Sequence, residues 1–171
     1  MQLDLTKWYR TLAPRTTVLV STVDKKGNTN AAPFSFVMPV SINPPVIAIA
    51  MVSTRHTLAN IREMGDFVIN IPGEKILSQL WTCGKPLPKG VSEIKEAGLT
   101  EEKAKKVSSP RIKEAIAWYE CKLRAEIEGG DHLVILGDII IAESNDQEEN
   151  KPLLHIGGAD FCLPGKVLKS E

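Results

Sequence analysis

The sequence has little of what usually announces a specialised chemistry. Among its 171 residues are three cysteines, Cys83, Cys121 and Cys162, an odd number with no CxxC pair. That pattern excludes a disulfide scaffold and a cysteine zinc site, and it fits a reducing cytoplasm. Net charge is missing too. The 21 Lys and Arg balance 21 Asp and Glu, so no overall field draws a polyanion or an anionic membrane surface. Residues Met1 to Arg10 lack an apolar signal-type stretch, and the longest apolar run, Val46 to Val52, is far shorter than a bilayer span. A soluble cytoplasmic protein is expected, with neither nucleic acid nor membrane as a partner. The Rossmann pattern GxGxxG and the P-loop pattern GxxxxGKS/T are both absent, so a nucleotide would have to be held in some other way. His56, His132 and His155 show no HxH or HExxH spacing, and no metal is expected.

What is present is an ordinary globular composition, 43% hydrophobic and 25% charged, of a length that suits a single domain over residues 1–171. Thr16 to Val23 is rich in β-branched residues and is followed by Asp24-Lys25-Lys26-Gly27-Asn28, a turn that returns the chain from Thr29 as a hairpin. Pro33 cannot donate to a ladder, so the returning strand is expected to be irregular or an edge. Val46 to Val52, apolar on both faces and started by Asn43-Pro44-Pro45, reads as a buried strand at the centre of the sheet.

Thr57 to Met64 then predicts a short helix, with Thr57 able to cap it and Gly65 as its stop. Phe67 to Ile71 reads as a strand and Lys75 to Cys83 as a helix, followed by an irregular excursion to about Pro110. Ala117 to Glu128 alternates Tyr119, Cys121, Leu123, Ala125 and Ile127 against charged residues that include Glu120, the pattern of a half-wet antiparallel strand. Gly129-Gly130-Asp131 turns it into a second strand, His132 to Ala142, and Leu153 to Ile156 adds a last apolar stretch. The charge runs Lys103 to Lys106 and Asp146 to Asn150 read as solvated faces. The fold class expected is mainly β with short helices, an antiparallel barrel closed or nearly so, because strands of this number otherwise leave open edges.

Three segments could carry chemistry. Ser53-Thr54-Arg55-His56-Thr57 places three hydroxyls and a guanidinium at a helix N-terminus, which suits a phosphate-sized anion. The same segment also reads as a cap followed by solvated loop. Asn30-Ala31-Ala32-Pro33-Phe34-Ser35-Phe36 combines small residues, a hydroxyl and two aromatic rings, which suits a flat polar-edged ring, or else two core phenylalanines. Trp81-Thr82-Cys83-Gly84 ends a helix, where Trp81 and the Gly84 backbone can border a ligand or pack in the core. Cys83, with no base or cation near it in sequence, reads as a buried thiol and not a nucleophile.

Taken in order, Pro14-Arg15, Val18 to Thr22, Gly27 to Phe36, Val40 to Pro45, Arg55 to Ile61 and Gly65 to Asn70, with Glu120-Cys121, Gly130-Asp131-His132 and Gly137-Asp138, resemble the flavin reductase-like family. The fold that the resemblance implies is an antiparallel split β-barrel of the FMN-binding type. It also implies a homodimer with one FMN per subunit, reduced by NADH or NADPH. By the resemblance, Asn30, Ala31, Pro33, Phe34, Ser35 and Phe36 lie beside the isoalloxazine. Ser53, Thr54, Arg55 and Thr57 hold the phosphate, and Trp81, Thr82, Cys83 and Gly84 close over the flavin. His132 is the sole weak catalytic candidate, with a turn residue as the plainer reading. His56 stands where the family often has an aspartate, and Thr16 replaces a frequent proline. Four roles are open on this reading: an NAD(P)H-dependent reductase, a flavoredoxin-like carrier served by a redox protein partner, a flavin-binding module without turnover, and a structural barrel.

Overall fold

A break at Thr17 divides the first extended stretch between two sheets. The computed structural model describes residues 2–88, 90–145 and 151–170. A short 3-10 helix, Trp8–Leu12, precedes β1 (Arg15–Thr16) and β2 (Val18–Val23). There follow β3 (Thr29–Phe34), β4 (Val37–Ser41), β5 (Val46–Met51), α1 (His56–Met64) and β6 (Asp66–Ile71). A 3-10 turn, Glu74–Ile76, leads into α2 (Leu77–Cys83) and then α3 (Glu93–Glu96). The strands β7 (Glu101–Glu102), β8 (Arg111–Ile112), β9 (Ala117–Glu128), β10 (Leu133–Ser144), β11 (Leu154–Gly157) and β12 (Asp160–Cys162) complete the chain.

Seven strands form one antiparallel sheet in the order β3-β2-β6-β9-β10-β5-β4, and β1-β11-β12 form a second. Chain connectivity forces the large sheet to curl. Neighbouring strands sit about 4.8 Å apart, so a flat sheet of this size would hold its outer strands about 29 Å from each other. Those outer strands are β3 and β4, joined only by Ser35 and Phe36, a link that reaches about 11 Å. The sheet therefore bends until its edges meet, with β3 lying against β5. Among the described residues no ladder joins β3 to β4, so the result is a barrel split along the Ser35–Phe36 seam.

Its interior packs Val18, Val20, Phe34, Ile49, Phe67, Ile69 and Ile135, with Leu58 and Ile61 of α1 filling one end. A second cluster, Leu19, Ala31, Ile76, Leu80, Cys83, Ile94 and Leu153, lies between the outer face of β3 and α2. Gly137 is where β10 crosses Phe67, and a Cβ there would stand 2.5 Å from the ring. The Asp24 carboxylate ties the first hairpin by accepting the amides of Lys26 and Asn28 at 2.8 and 2.9 Å.

Four expectations change. Val46 to Val52 is buried on both faces, yet β5 is next to the edge strand β4 and not central. The N-terminal segment runs over its outer face, where Ala48 and Ala50 share a cavity with Trp8 and Tyr9. Thr57 does not cap α1, because Arg55 occupies that position without a side-chain capping bond. Glu120, placed on the wet face by the alternation of β9, is fully buried and meets Arg111, itself 3% exposed, with Nε and Nη2 at 2.8 and 2.6 Å from Oε1. The Lys103 to Lys106 run keeps its charged side chains in solvent but sends the amides of Lys105 and Lys106 inward to Glu120 at 2.8 and 2.7 Å. The run Asp146 to Asn150 lies outside the described residues.

Asp66 is also buried, at the start of β6. Burial alone would raise its carboxyl, but bonds from the Ser108 and Ser109 amides, the Ser109 hydroxyl and Lys122 hold it below its ordinary 3.8. A carboxyl lowered on folding stabilises the folded state above its unfolded value, and that stability is lost as pH falls through the folded one. Thermal unfolding of Asp66→Asn and the parent should therefore differ at neutral pH, begin to converge below about pH 3.8 and meet only below the lower folded-state value. A gap that persists unchanged in acid contradicts this.

Candidate functional site

β3 is an edge strand, and the three segments singled out in the sequence meet along it. At one end the Thr57 hydroxyl donates to Asn30 Oδ1 at 3.0 Å, which fixes the N-terminus of α1 to the strand. At the other end the close of α2 presses on Pro33, where a Cβ on Gly84 would meet the proline ring at 3.3 Å. The two ends are three residues apart, about 10 Å along an extended strand.

At the Pro33 end lies an open cavity of about 360 Å³, bordered by Pro33, Phe34, Ser35, Trp81 and Gly84 together with Thr17, Lys85, His155 and Phe161. Its size suits a flat ring system, and its lining is apolar with few polar groups, the usual make-up of a small-molecule site. Trp81, 44% exposed, stands edge-on to Phe161 with centroids 6.5 Å apart. The polar groups gather at one point. His155 Nδ1 is 3.1 Å from Ser35 Oγ and 3.3 Å from Arg15 Nη2, and its Nε2 is 3.1 Å from the Gly158 carbonyl oxygen. The Thr17 hydroxyl is buried and unpartnered among the described residues.

At the Asn30 end, Ser53, Thr54 and Arg55 are exposed in the loop from β5 to α1. The first amides of α1 have no intrahelical acceptor, and with the two hydroxyls and the guanidinium they make a donor set for a phosphate-sized anion. The Thr57 hydroxyl is not part of that set, because its proton goes to Asn30; Thr57 contributes its backbone amide alone.

Several sequence candidates face away from the ring-sized cavity. Ala31 is wholly buried beneath α2, and Asn30 borders a different cavity with His56 and Glu93. Thr82 is half-buried and lies outside the lining, and Cys83 points into the core, where burial, with Glu93 beside it, pushes its thiol up to about 12. Phe36 and His132, with rings 5.4 Å apart, line a larger cavity of about 990 Å³ on the other side of Ser35, and His132 Nδ1 is 2.8 Å from Asp131. Sequence reading missed Thr17, His155 and Phe161. A lone histidine in an apolar stretch carries no local signal; the pairing of β11 with β1 sets His155 opposite Arg15, 140 residues away in sequence.

Residues 9–162 match the model of the flavin reductase like domain. An uncharacterized protein of Methanothermobacter thermautotrophicus is 35% identical over 178 residues, covering 94% of this chain and 84% of its own. Nitrilotriacetate monooxygenase component B from Bacillus cereus superposes with a TM-score of 0.89 at 26% identity, over 99% of this chain and 95% of that one. Flavoredoxin of Desulfovibrio vulgaris (Miyazaki F) shares the fold, with a TM-score of 0.85 at 23% identity over 99% and 97% of the two chains.

Proposed function

The chain belongs to the flavin reductase like domain family, and on that footing we propose that it binds FMN along β3 and takes hydride from NADH or NADPH. The observation that carries this reading is that β3 joins the two parts: α1, whose N-terminus follows the phosphate-sized donor set, is fixed at Asn30, and the ring-sized cavity lies at Pro33, about 10 Å further along the strand. Ser53, Thr54 and Arg55 would hold the phosphate. Pro33, Phe34, Ser35, Trp81 and Gly84 would frame the ring, with Phe161 and Thr17 beside them. FMN, when bound, supplies the two-electron chemistry. The chain's own contribution is to hold the ring, cover it with Trp81 and the end of α2, and leave room for a nicotinamide against it; no side-chain acid or base is required. We place the protein in the cytoplasm, where three unpaired thiols stay reduced. No helix among the described residues is long and apolar enough to cross a membrane.

The test is the visible spectrum of the purified protein, followed by anaerobic addition of each nicotinamide. Stoichiometric FMN that bleaches with NADH or NADPH is the expected result. Flavin that stays oxidised with both donors but is reduced by a redox protein would mark a flavoredoxin-like carrier. A colourless protein that takes up no flavin at micromolar concentration refutes the proposal.

A homodimer is part of the same reading. The edge strand β4 exposes Met38 and Val40, Ile42 beyond it is 94% exposed, and Trp8 and Leu12 add to the surface beside it. An apolar edge of this kind is normally covered. Light scattering should give twice the mass of one chain, and a monomer that still binds FMN would sink the dimer while sparing the fold.

A further inference from the structure

We infer that Ser35 is a fixed hydrogen-bond acceptor at the wall of the ring cavity, held so by the positioning residues His155 and Arg15, and that it selects the reduced form of a bound flavin. The inference deepens the flavin reading above and rests on it.

Donors and acceptors leave one arrangement. The Gly158 carbonyl can only accept, so His155 Nε2, 3.1 Å away, carries the ring proton. A guanidinium can only donate, so Nδ1, 3.3 Å from Arg15 Nη2, offers its lone pair. Two independent contacts therefore assign the same tautomer. Ser35 Oγ stands 3.1 Å from that Nδ1, which has no proton to give, so the serine donates and shares the single lone pair with Arg15 Nη2. What Ser35 has left to show the cavity is lone pairs alone.

The arrangement is braced from behind. Arg15 Nη1 donates to the Tyr9 carbonyl at 3.1 Å, and its guanidinium lies over the rings of Tyr9 and Phe36 at 5.8 and 5.6 Å. Backbone pairing of β1 with β11 sets Arg15 directly opposite His155. His155 itself packs at a tilt of 38° against Phe161, with centroids 5.1 Å apart. None of the three groups can turn without breaking a bond of another. Thr17, the nearby unpartnered hydroxyl, is free to rotate and sets no polarity of its own.

A flavin reduced by two electrons bears a ring N–H where the oxidised ring has only a lone pair. An acceptor fixed beside that nitrogen would attract the first and repel the second. The reduced form is then bound more tightly, and the midpoint potential of the bound flavin rises by the corresponding factor.

The experiment compares midpoint potentials of FMN-loaded parent, Ser35→Ala, Ser35→Thr and His155→Phe by anaerobic equilibration with a reference dye, alongside the affinity of each for oxidised FMN. Ser35→Ala should lose about tenfold in preference for reduced FMN, which for a two-electron couple is about 30 mV downward. Ser35→Thr, which keeps an acceptor oxygen, should stay near the parent. His155→Phe releases the serine proton and should move the potential downward as well. Oxidised FMN should bind Ser35→Ala at least as tightly as the parent, because toward that form the serine lone pairs offer repulsion and no hydrogen bond. Should Ser35→Ala fail to hold flavin, His155→Phe decides: a lowered potential supports the inference and a parent-like one overturns it. Equal weakening of both flavin forms, with the potential unchanged, overturns the selection by Ser35 while leaving flavin binding intact. A parent protein that binds no FMN overturns both.

Discussion

Glu120→Ala should lower the unfolding free energy by about 3 to 5 kcal/mol, the cost of removing one partner from a buried ion pair. Arg111 is 3% exposed and would be left with a buried charge, its remaining carboxylate contact being Glu143 at 2.6 Å from Nη1. The loss is wider than one pair. Glu120 also accepts the amides of Lys105 and Lys106, so its removal orphans two part-buried backbone donors and releases the excursion that covers β6 and β9. Replacing both members, Arg111→Met with Glu120→Leu, should recover only part of the stability, because the apolar pair relieves the charge and leaves the amides without an acceptor. Urea unfolding checks this through a lowered midpoint at constant slope. A shift below about 1 kcal/mol in the single variant would show that water replaces the lost carboxylate.

Arg55→Ala should weaken FMN by about 1.5 to 3 kcal/mol, the range for a hydrogen bond to a charged group, while riboflavin binds as before. The side chain is exposed and makes no capping bond, so stability without ligand should stay within about 0.5 kcal/mol. This separates a phosphate ligand from a solvated arginine. Parallel titrations with FMN and riboflavin give the answer, and equal losses for both would remove the phosphate assignment. If FMN is unaffected while the Michaelis constant for NADPH rises alone, the guanidinium serves the nicotinamide nucleotide instead.

The residues legible in the sequence are those whose neighbours lie within one turn or one hairpin. Ala117 to Glu128 became a strand with the bounds its alternation prescribed, because inward Tyr119, Cys121 and Leu123 are needed by the barrel whatever lies outside. Gly65 ends α1 with φ of 70°, as a glycine placed after a helical pattern would. Glu120 escaped the same logic. Period-two alternation says which face a residue takes, and the covering of that face is decided by a distant excursion whose pattern is irregular. The site divides the same way. Asn30 to Phe36 and Ser53 to Arg55 were visible as local chemistry, whereas His155 matters only through a β1–β11 pairing with no trace in either segment alone.

The two-residue link between β3 and β4 acts as a ruler. No ladder crosses it among the described residues, so the spacing of the barrel's lips is set there by covalent length and not by hydrogen bonding. Ser35 sits on the link itself, with one cavity on each side of it. Lengthening the link by a residue would relax the curl of the sheet without breaking a strand pair, and would shift the Ser35 oxygen relative to Pro33 and His155. The reach of the link and the chemistry of the cavity are therefore coupled: an insertion that loosens the lips of the barrel also moves the serine away from its histidine.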